Sequence, residues 1–293
     1  MGTTDVYKMI ESKVIDQLEN GIIPWRRCYH TKNGNVCVSH QTGRPYSLLN
    51  QMLLDEPGEY WTFEQAVKSG HKIKKGAKAS KVVFWKVLSY TNKDVSPITG
   101  EDMEYNKNIP FLRYYNVFHQ SDIEGLDKNE LTDLEMERNK ETIETADEII
   151  SNYLAANKDI QMIESDRTPC FVPAKKTIYV PQKCQFDSIT DYYDACFHEI
   201  IHSTKEKLKR PISKSDEDRA REELVAEIGS ACLCGECGIH EDELIKNSSA
   251  YCAGWLKALK NNIKWLVWAS SRAEAAARYV INGEVSEVKE SED

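Results

Sequence analysis

Residues 198–202 read His-Glu-Ile-Ile-His, and no other stretch restricts the fold as much. Asp191, Tyr192, Tyr193, Asp194, Ala195, Cys196 and Phe197 precede it, Ser203, Thr204, Lys205 and Glu206 follow, and both flanks fit a helix. On a helix, positions i and i+4 share one face. The imidazoles of His198 and His202 can therefore hold one zinc-like ion. Glu199 lies beside that face, where a carboxylate can take a proton from water activated by the ion.

A metal site with an open position takes three protein ligands, so a third donor is expected downstream. Residues 221–231 read as a second helix, and the connection at 209–216 holds the breakers Pro211, Ser213 and Ser215. Glu222, Glu223 and Glu227 are the candidates. Glu223 is preferred, because Glu227 follows one turn along the same face. One carboxylate can then bind the ion while Glu227 accepts the remaining ring N–H of a ligating histidine. Glu222 points about a quarter-turn away and is the fallback.

The nine cysteines are Cys28, Cys37, Cys170, Cys184, Cys196, Cys232, Cys234, Cys237 and Cys252. An odd count, placement in apolar helices and an N-terminus without a charged-then-apolar leader predict reduced thiols in the cytoplasm. Cys232, Cys234 and Cys237, with His240 nearby, suggest a zinc knuckle, but no second Cys or His pair follows. They are expected to continue the helix of Glu223 to a C-cap at Gly238. No apolar run reaches eighteen residues, so no membrane partner is expected.

Charge divides the chain. It carries 38 basic and 47 acidic residues; the first 90 positions hold 13 and 8 of them, leaving 25 and 39 for the rest. A basic part joined to an acidic one is the asymmetry of a nucleic-acid-binding module attached to a different domain. Lys68, Lys72, Lys74, Lys75, Lys78, Lys81 and Lys86 run without an intervening acid, among Tyr60, Trp61, Phe63, Phe84 and Trp85. Trp25, Arg26 and Arg27 form an earlier cluster. Cations interleaved with aromatics suit a single strand, whose phosphates they track and whose bases stack on the rings. The residue pattern alone leaves this open against a solvated lysine face. Residues 82–87 look like a buried strand, which assigns Trp61 and Trp85 to the core.

The predicted fold class is α+β, with a mixed N-terminal domain at 1–120, an acidic linker at 121–138, a mostly helical domain with a small sheet at 139–285, and an acidic tail at 286–293. Helices are expected over 6–20, 47–54 and 62–70, the last with Thr62 as N-cap and Gly70 just past its end. Strands are expected over 81–88 and 111–118, around a polar loop at 94–102. A helix over 141–157 and a hairpin around Ala174, Lys175 and Lys176 precede the motif helices, and one or two helices fill 251–279. The hairpin strand 177–180 is expected to be able to pair with an extended substrate; Tyr192 and Tyr193 are assigned to the core.

Whole phrases carry a family resemblance. They include Gln17 to Gly21 leading to Pro24, Trp25 and Arg26; Thr42, Gly43, Arg44, Pro45, Tyr46 through Asn50; Trp61 through Ala66; Ile73 through Lys78; and Val82 through Trp85. Thr177 through Pro181, His198 through His202, Glu222 through Gly229 and Tyr251 through Leu256 continue it. In this order they resemble the ArdC-type antirestriction proteins of plasmids and phages, which join a single-stranded-DNA-binding domain to a zincin-like metallopeptidase domain. Cys28 departs from the family's further Pro-Trp step, and the stretch after His202 lacks its usual Trp.

The resemblance implies a metal, Zn2+ or else Mn2+ or another divalent ion, on His198, His202 and Glu223, with Glu199 as general base. It also implies strand binding by the N-terminal part, with Trp25, Arg26, Arg27, Arg44, Lys72, Lys74, Lys75, Lys78 and Lys81 as contact residues. The expected partners are single-stranded DNA and a protein substrate, such as a host nuclease or a DNA-bound protein. The competing reading is a non-catalytic single-strand shield whose metal site is structural or relict. An intact Glu199 favours the peptidase, since a structural site needs no general base.

Overall fold

The computed structural model describes residues 3–26, 36–95, 102–126, 138–186, 188–239, 248–260 and 262–285. Arg27, Cys28, His240, most of the expected linker and the acidic tail lie outside these residues.

Helix α1 (Thr3–Glu19) places Val6, Ile10, Val14 and Leu18 on one buried stripe and ends before Gly21, whose φ of 76° suits a residue without Cβ. A 3-10 turn (Pro24–Arg26), β1 (Cys37–Ser39), α2 (Leu48–Leu53), β2 (Gly58–Trp61) and α3 (Phe63–Lys68) follow. Thr62 and Gln65 close a reciprocal capping box on α3, and Gly70 leaves it at φ 78°. The hairpin of β3 (Ser80–Val95) and β4 (Asp102–His119) extends well past the strands expected from hydropathy. The polar loop between them was expected to take up residues that are in fact paired strand.

The first sheet runs β1-β2-β4-β3, with β1 and β2 parallel and the rest antiparallel. Two buried amides of α2 complete its edges. Gln51 accepts from the Cys37 N–H and donates to the Cys37 carbonyl, both at 2.9 Å. Asn50 does the same at Val83, at 2.7 and 2.9 Å. Each amide thereby serves as one rung of an absent strand, satisfying backbone groups that burial would otherwise penalise. The start of the expected linker belongs to this part of the fold: Gln120–Asp122 form a 3-10 turn, and buried Ile123 bridges to Ile73.

The second half begins with α4 (Arg138–Ala156) and a sheet of β5 (Gln161–Glu164), β6 (Cys170–Val172) and β7 (Thr177–Val180). Its order is β5-β7-β6, with β5 parallel to β7. This corrects the expectation that 177–180 can receive a substrate strand. β7 is central, and both its edges are already paired. Helices α5 (Ile189–Ser203), α6 (Asp216–Glu236), α7 (Ser248–Leu259) and α8 (Ile263–Asn282) complete the fold. Ser215 caps α6 in a box with Asp218, so the helix starts five residues before the expected Arg221. Cys232 and Cys234 lie buried in α6 and Cys237 at its C-cap, all as free thiols, before Gly238 at φ 70°.

One apolar core joins the two halves. It includes Val6, Ile10, Trp25 and Met52 together with Leu224, Ile228, Leu266 and Ala273. Trp25 meets Trp255 edge-on at 5.6 Å, and Glu274 accepts the Leu48 N–H at 3.3 Å. No helix among the described residues is long and apolar enough to cross a membrane.

Candidate metal centre

Ser188 caps α5 by accepting the Asp191 N–H, and Phe197, Ile200 and Ile201 anchor the helix in the core. That anchoring turns His198 and His202 toward α6. The two helices approach closely at Gly229: a Cβ there would meet Ile201 Cδ1 at 2.8 Å and Cγ1 at 2.9 Å. Glycine is therefore what lets α6 bring Glu223 to the histidines.

His198 Nε2 lies 3.2 Å from His202 Nε2. Glu223 Oε2 is 3.3 Å from the first and Oε1 is 3.5 Å from the second. A tetrahedral ion with bonds of about 2.0–2.1 Å has ligand–ligand edges of roughly 3.3 Å. The three donors thus fit a small divalent ion, and the chemistry of the set, two imidazoles and a carboxylate, matches a site with an open position.

Each ring has a carboxylate behind it. Glu227 Oε1 is 3.9 Å from His198 Nδ1. Glu222 Oε1 is 3.4 Å from His202 Nδ1, so the residue read as a fallback ligand points to the far side of the ring. Glu222 is itself clamped by Arg210, whose Nη2 donates to Oε1 at 2.8 Å and Nε to Oε2 at 3.2 Å. Arg210 also donates to Thr204 Oγ1 and to the Ile201 carbonyl, both at 2.7 Å. This arrangement is not legible in the residue pattern, because Arg210 falls in the connection between the helices. Glu199 is buried beside the cluster and accepts the Phe171 N–H at 2.6 Å, which ties it to β6.

The electrostatics follow from this packing. Burial opposes a charged His202, but Glu222 and Glu223 outweigh it and its pKa rises to about 9. His198 is raised as well: burial again opposes, and Glu223 prevails. Burial would raise Glu222, yet His202 and Arg210 bring it down to about 2. Hydrogen bonds from His198 and His202 hold Glu223 well below the usual carboxylate range. The cluster is thus a set of anions that favour protonated imidazoles, and an ion held by them would have to displace those protons.

The residues expected to contact DNA are placed differently. Trp25 is 0% exposed, so it is a core residue and cannot stack on a base. The Arg26 side chain lies outside the described positions, as does Arg27. Arg44, Lys72, Lys74, Lys75, Lys78 and Lys81 are all exposed, with Lys74 Nζ donating to the Ser121 carbonyl and Lys81 Nζ 5.0 Å from the Tyr114 ring. Trp61 is buried as expected, but Trp85 is not: it is 45% exposed, like Phe84. Among the described side chains of β3, Val82 and Val83 are buried while Lys81, Phe84, Trp85 and Lys86 are exposed. Phe84 and Tyr115 share one face of that hairpin with centroids 5.8 Å apart, and Arg113 pairs across from Phe84. Tyr115 and Arg113 went unnoticed in the sequence because strand pairing alone brings them beside Phe84.

Comparison with known proteins agrees with this geometry. Residues 4–118 match the family model of the N-terminal domain of the anti-restriction factor ArdC, and residues 147–272 match that of a zincin-like metallopeptidase. The crystal structure of the antirestriction protein ArdC from plasmid R388 superposes with a TM-score of 0.66 in its metal-free form, at 28% identity over 94% of this chain and 96% of that one. Its Mn(II)-bound form gives 0.65 at 27% identity, with the same coverage. A DNA primase TraC of Escherichia coli is 27% identical over 97% of this chain, and a second TraC of that organism is likewise 27% identical. The chain spans only 28% and 20% of those two primases. With both domains matched in order and a solved relative aligned nearly end to end, the chain belongs to the ArdC-type antirestriction family, an N-terminal ArdC domain followed by a zincin-like domain.

Proposed function

We propose that this protein binds single-stranded DNA through its N-terminal half and carries a metal-dependent peptidase site on α5 and α6. The observation that carries the peptidase reading is the convergence of His198, His202 and Glu223 at 3.2–3.5 Å, with Glu199 next to them. A divalent ion held by these three side chains, with Zn2+ the first choice and Mn2+ the second, would supply a Lewis acid for carbonyl polarisation and water activation. Glu199 accepts the proton of the attacking water and returns it to the leaving amine. Glu227 and Glu222 keep the two rings oriented. The Phe171 N–H fixes one oxygen of Glu199 and leaves the other for proton transfer.

Strand binding is supported by the exposed rings of Phe84 and Tyr115, on one face of the hairpin with Arg113 and Lys86, by Trp85 exposed on the opposite face, and by Arg44 and the lysine run from Lys72 to Lys81. Rings stack on bases while cations neutralise phosphates. DNA held there would bring the metal site near proteins that act on incoming single strands, such as host nucleases. Because the halves share a core, the test uses the full chain. Phe84→Ala with Trp85→Ala should weaken binding of an oligothymidylate about tenfold or more and leave metal content unchanged. Glu223→Ala should do the reverse. Unchanged oligothymidylate affinity in the first variant, or a full equivalent of metal in the second, would refute the corresponding half of the proposal.

A further inference from the structure

A cleft of about 980 Å3 opens on the metal cluster at His202 and Glu223. Apolar walls come from Ile160, Phe171, Pro173 and Ile212, and the remaining rim is dominated by cations. This is unexpected in a stretch, residues 91–293, where acids outnumber bases 39 to 25. Most of the cations are already engaged. Arg210 and Lys205 lie against Glu222, Lys176 against Asp159 and Glu206, and Arg219 against Asp216. Lys207 and Lys209 form no close ion pair among the described residues, Lys207 acting on Asp159 only at longer range, and both are exposed on the cleft. Lys209 has φ 53°, a conformation in which glycine would be less strained, yet a cation stands there.

We propose that this cleft binds a peptide side-chain carboxylate, with Lys207 and Lys209 as its counter-charges, so that the site selects substrates bearing Asp or Glu on the His202 side of the reacting bond. The proposal rests on the peptidase reading for its ligand class. The arrangement favours a peptide over nucleic acid. Asp159, Glu206 and Glu223 interrupt the cations, and a continuous phosphate backbone would run against them. A single carboxylate on an apolar stem meets the apolar walls with its stem and the ammonium groups of Lys207 and Lys209 with its head.

The experiment uses the full-length, zinc-loaded Glu199→Gln protein, which binds without turnover. The probes are fluorescein-labelled, end-capped decapeptides of Ala, Leu and Gln in which one Glu is moved through successive positions, measured by anisotropy against the Gln-only parent. Glu at one position or two adjacent positions should tighten binding about tenfold, more at low salt than at high. Adding Lys207→Gln and Lys209→Gln should remove that gain, with circular dichroism showing the fold intact. The proposal is overturned if no position matters or if the gain survives both lysine changes. It is equally overturned if the gain appears only in an added Gln-only decapeptide with an uncapped C-terminus, or if a decathymidylate competes for the same two lysines. Cleavage by the zinc-loaded wild type is scored separately. A positional gain without any cleavage defeats the peptidase reading and leaves the cleft assignment standing. Cleavage with no acidic preference does the opposite.

Discussion

Replacing Arg210 by Met should uncouple the support of the metal site from the site itself. The Arg210 side chain is 2% exposed and that of Glu222 is 8% exposed. Removing one partner of a buried pair costs about 3–5 kcal/mol, because the other charge is left without compensation. Lys205 Nζ remains 3.6 Å from Glu222 and His202 Nδ1 remains 3.4 Å away, which places the expected loss at the lower end, about 3 kcal/mol. With a urea slope of about 3 kcal/mol per molar, the unfolding midpoint of the metal-free protein should fall by about 1 M. Glu222→Leu added to Arg210→Met should recover most of this, since a packed apolar pair often replaces a buried ion pair without loss. The double variant should nevertheless bind zinc about 10–100-fold more weakly, because His202 loses the carboxylate that orients it. A midpoint shift below about 0.3 M in the single variant, or wild-type zinc affinity in the double, would refute the reasoning.

Gly229→Ala adds a methyl group against buried Ile201 in the α5–α6 contact. Overpacking of about 1–3 kcal/mol should exceed the helix-propensity gain of about 1 kcal/mol. Thermal melts should therefore show a less stable protein, and calorimetry a weaker zinc site; a more stable variant would contradict the close approach. His202 supplies a pH signature. Its folded pKa of about 9 lies above the ordinary 6.5, so its stabilisation of the metal-free protein is complete below pH 6.5 and is lost as pH rises through 9. Melting in a chelator should fall across that window while the zinc-loaded protein, whose imidazoles carry no such proton, stays flat; a metal-free melting temperature constant from pH 6 to 9.5 would count against it.

The parts of this fold set by local patterning were legible in the sequence. Both helices of the metal cluster, the N-cap at Thr62 and the turn around Lys176 follow from periodicity and turn chemistry. What depends on distant pairing was not. β5 lies parallel to β7 without an alternation that announces it, and it converts β7 from an edge into a central strand. Trp25 and Trp85 were assigned to opposite environments from those they occupy. A ring beside two arginines looks like a surface residue until Trp255 covers it, and a ring in an apolar run looks buried although Trp85 is 45% exposed. Likewise His202 and Glu222 are twenty residues apart, and only the helix crossing shows that Glu222 faces Nδ1 rather than Nε2.

The most direct test of the peptidase account is hydrolysis of an unlabelled peptide pool, read by mass spectrometry, by zinc-loaded wild type and zinc-loaded Glu199→Gln, with metal content measured on the same samples. The account predicts one equivalent of zinc in both, and cleavage by the wild type that falls at least about a hundredfold in Glu199→Gln. Zinc-loaded wild type that cuts nothing, or a Glu199→Gln protein that cuts as fast as wild type, would contradict it and leave the single-strand shield as the function of this chain.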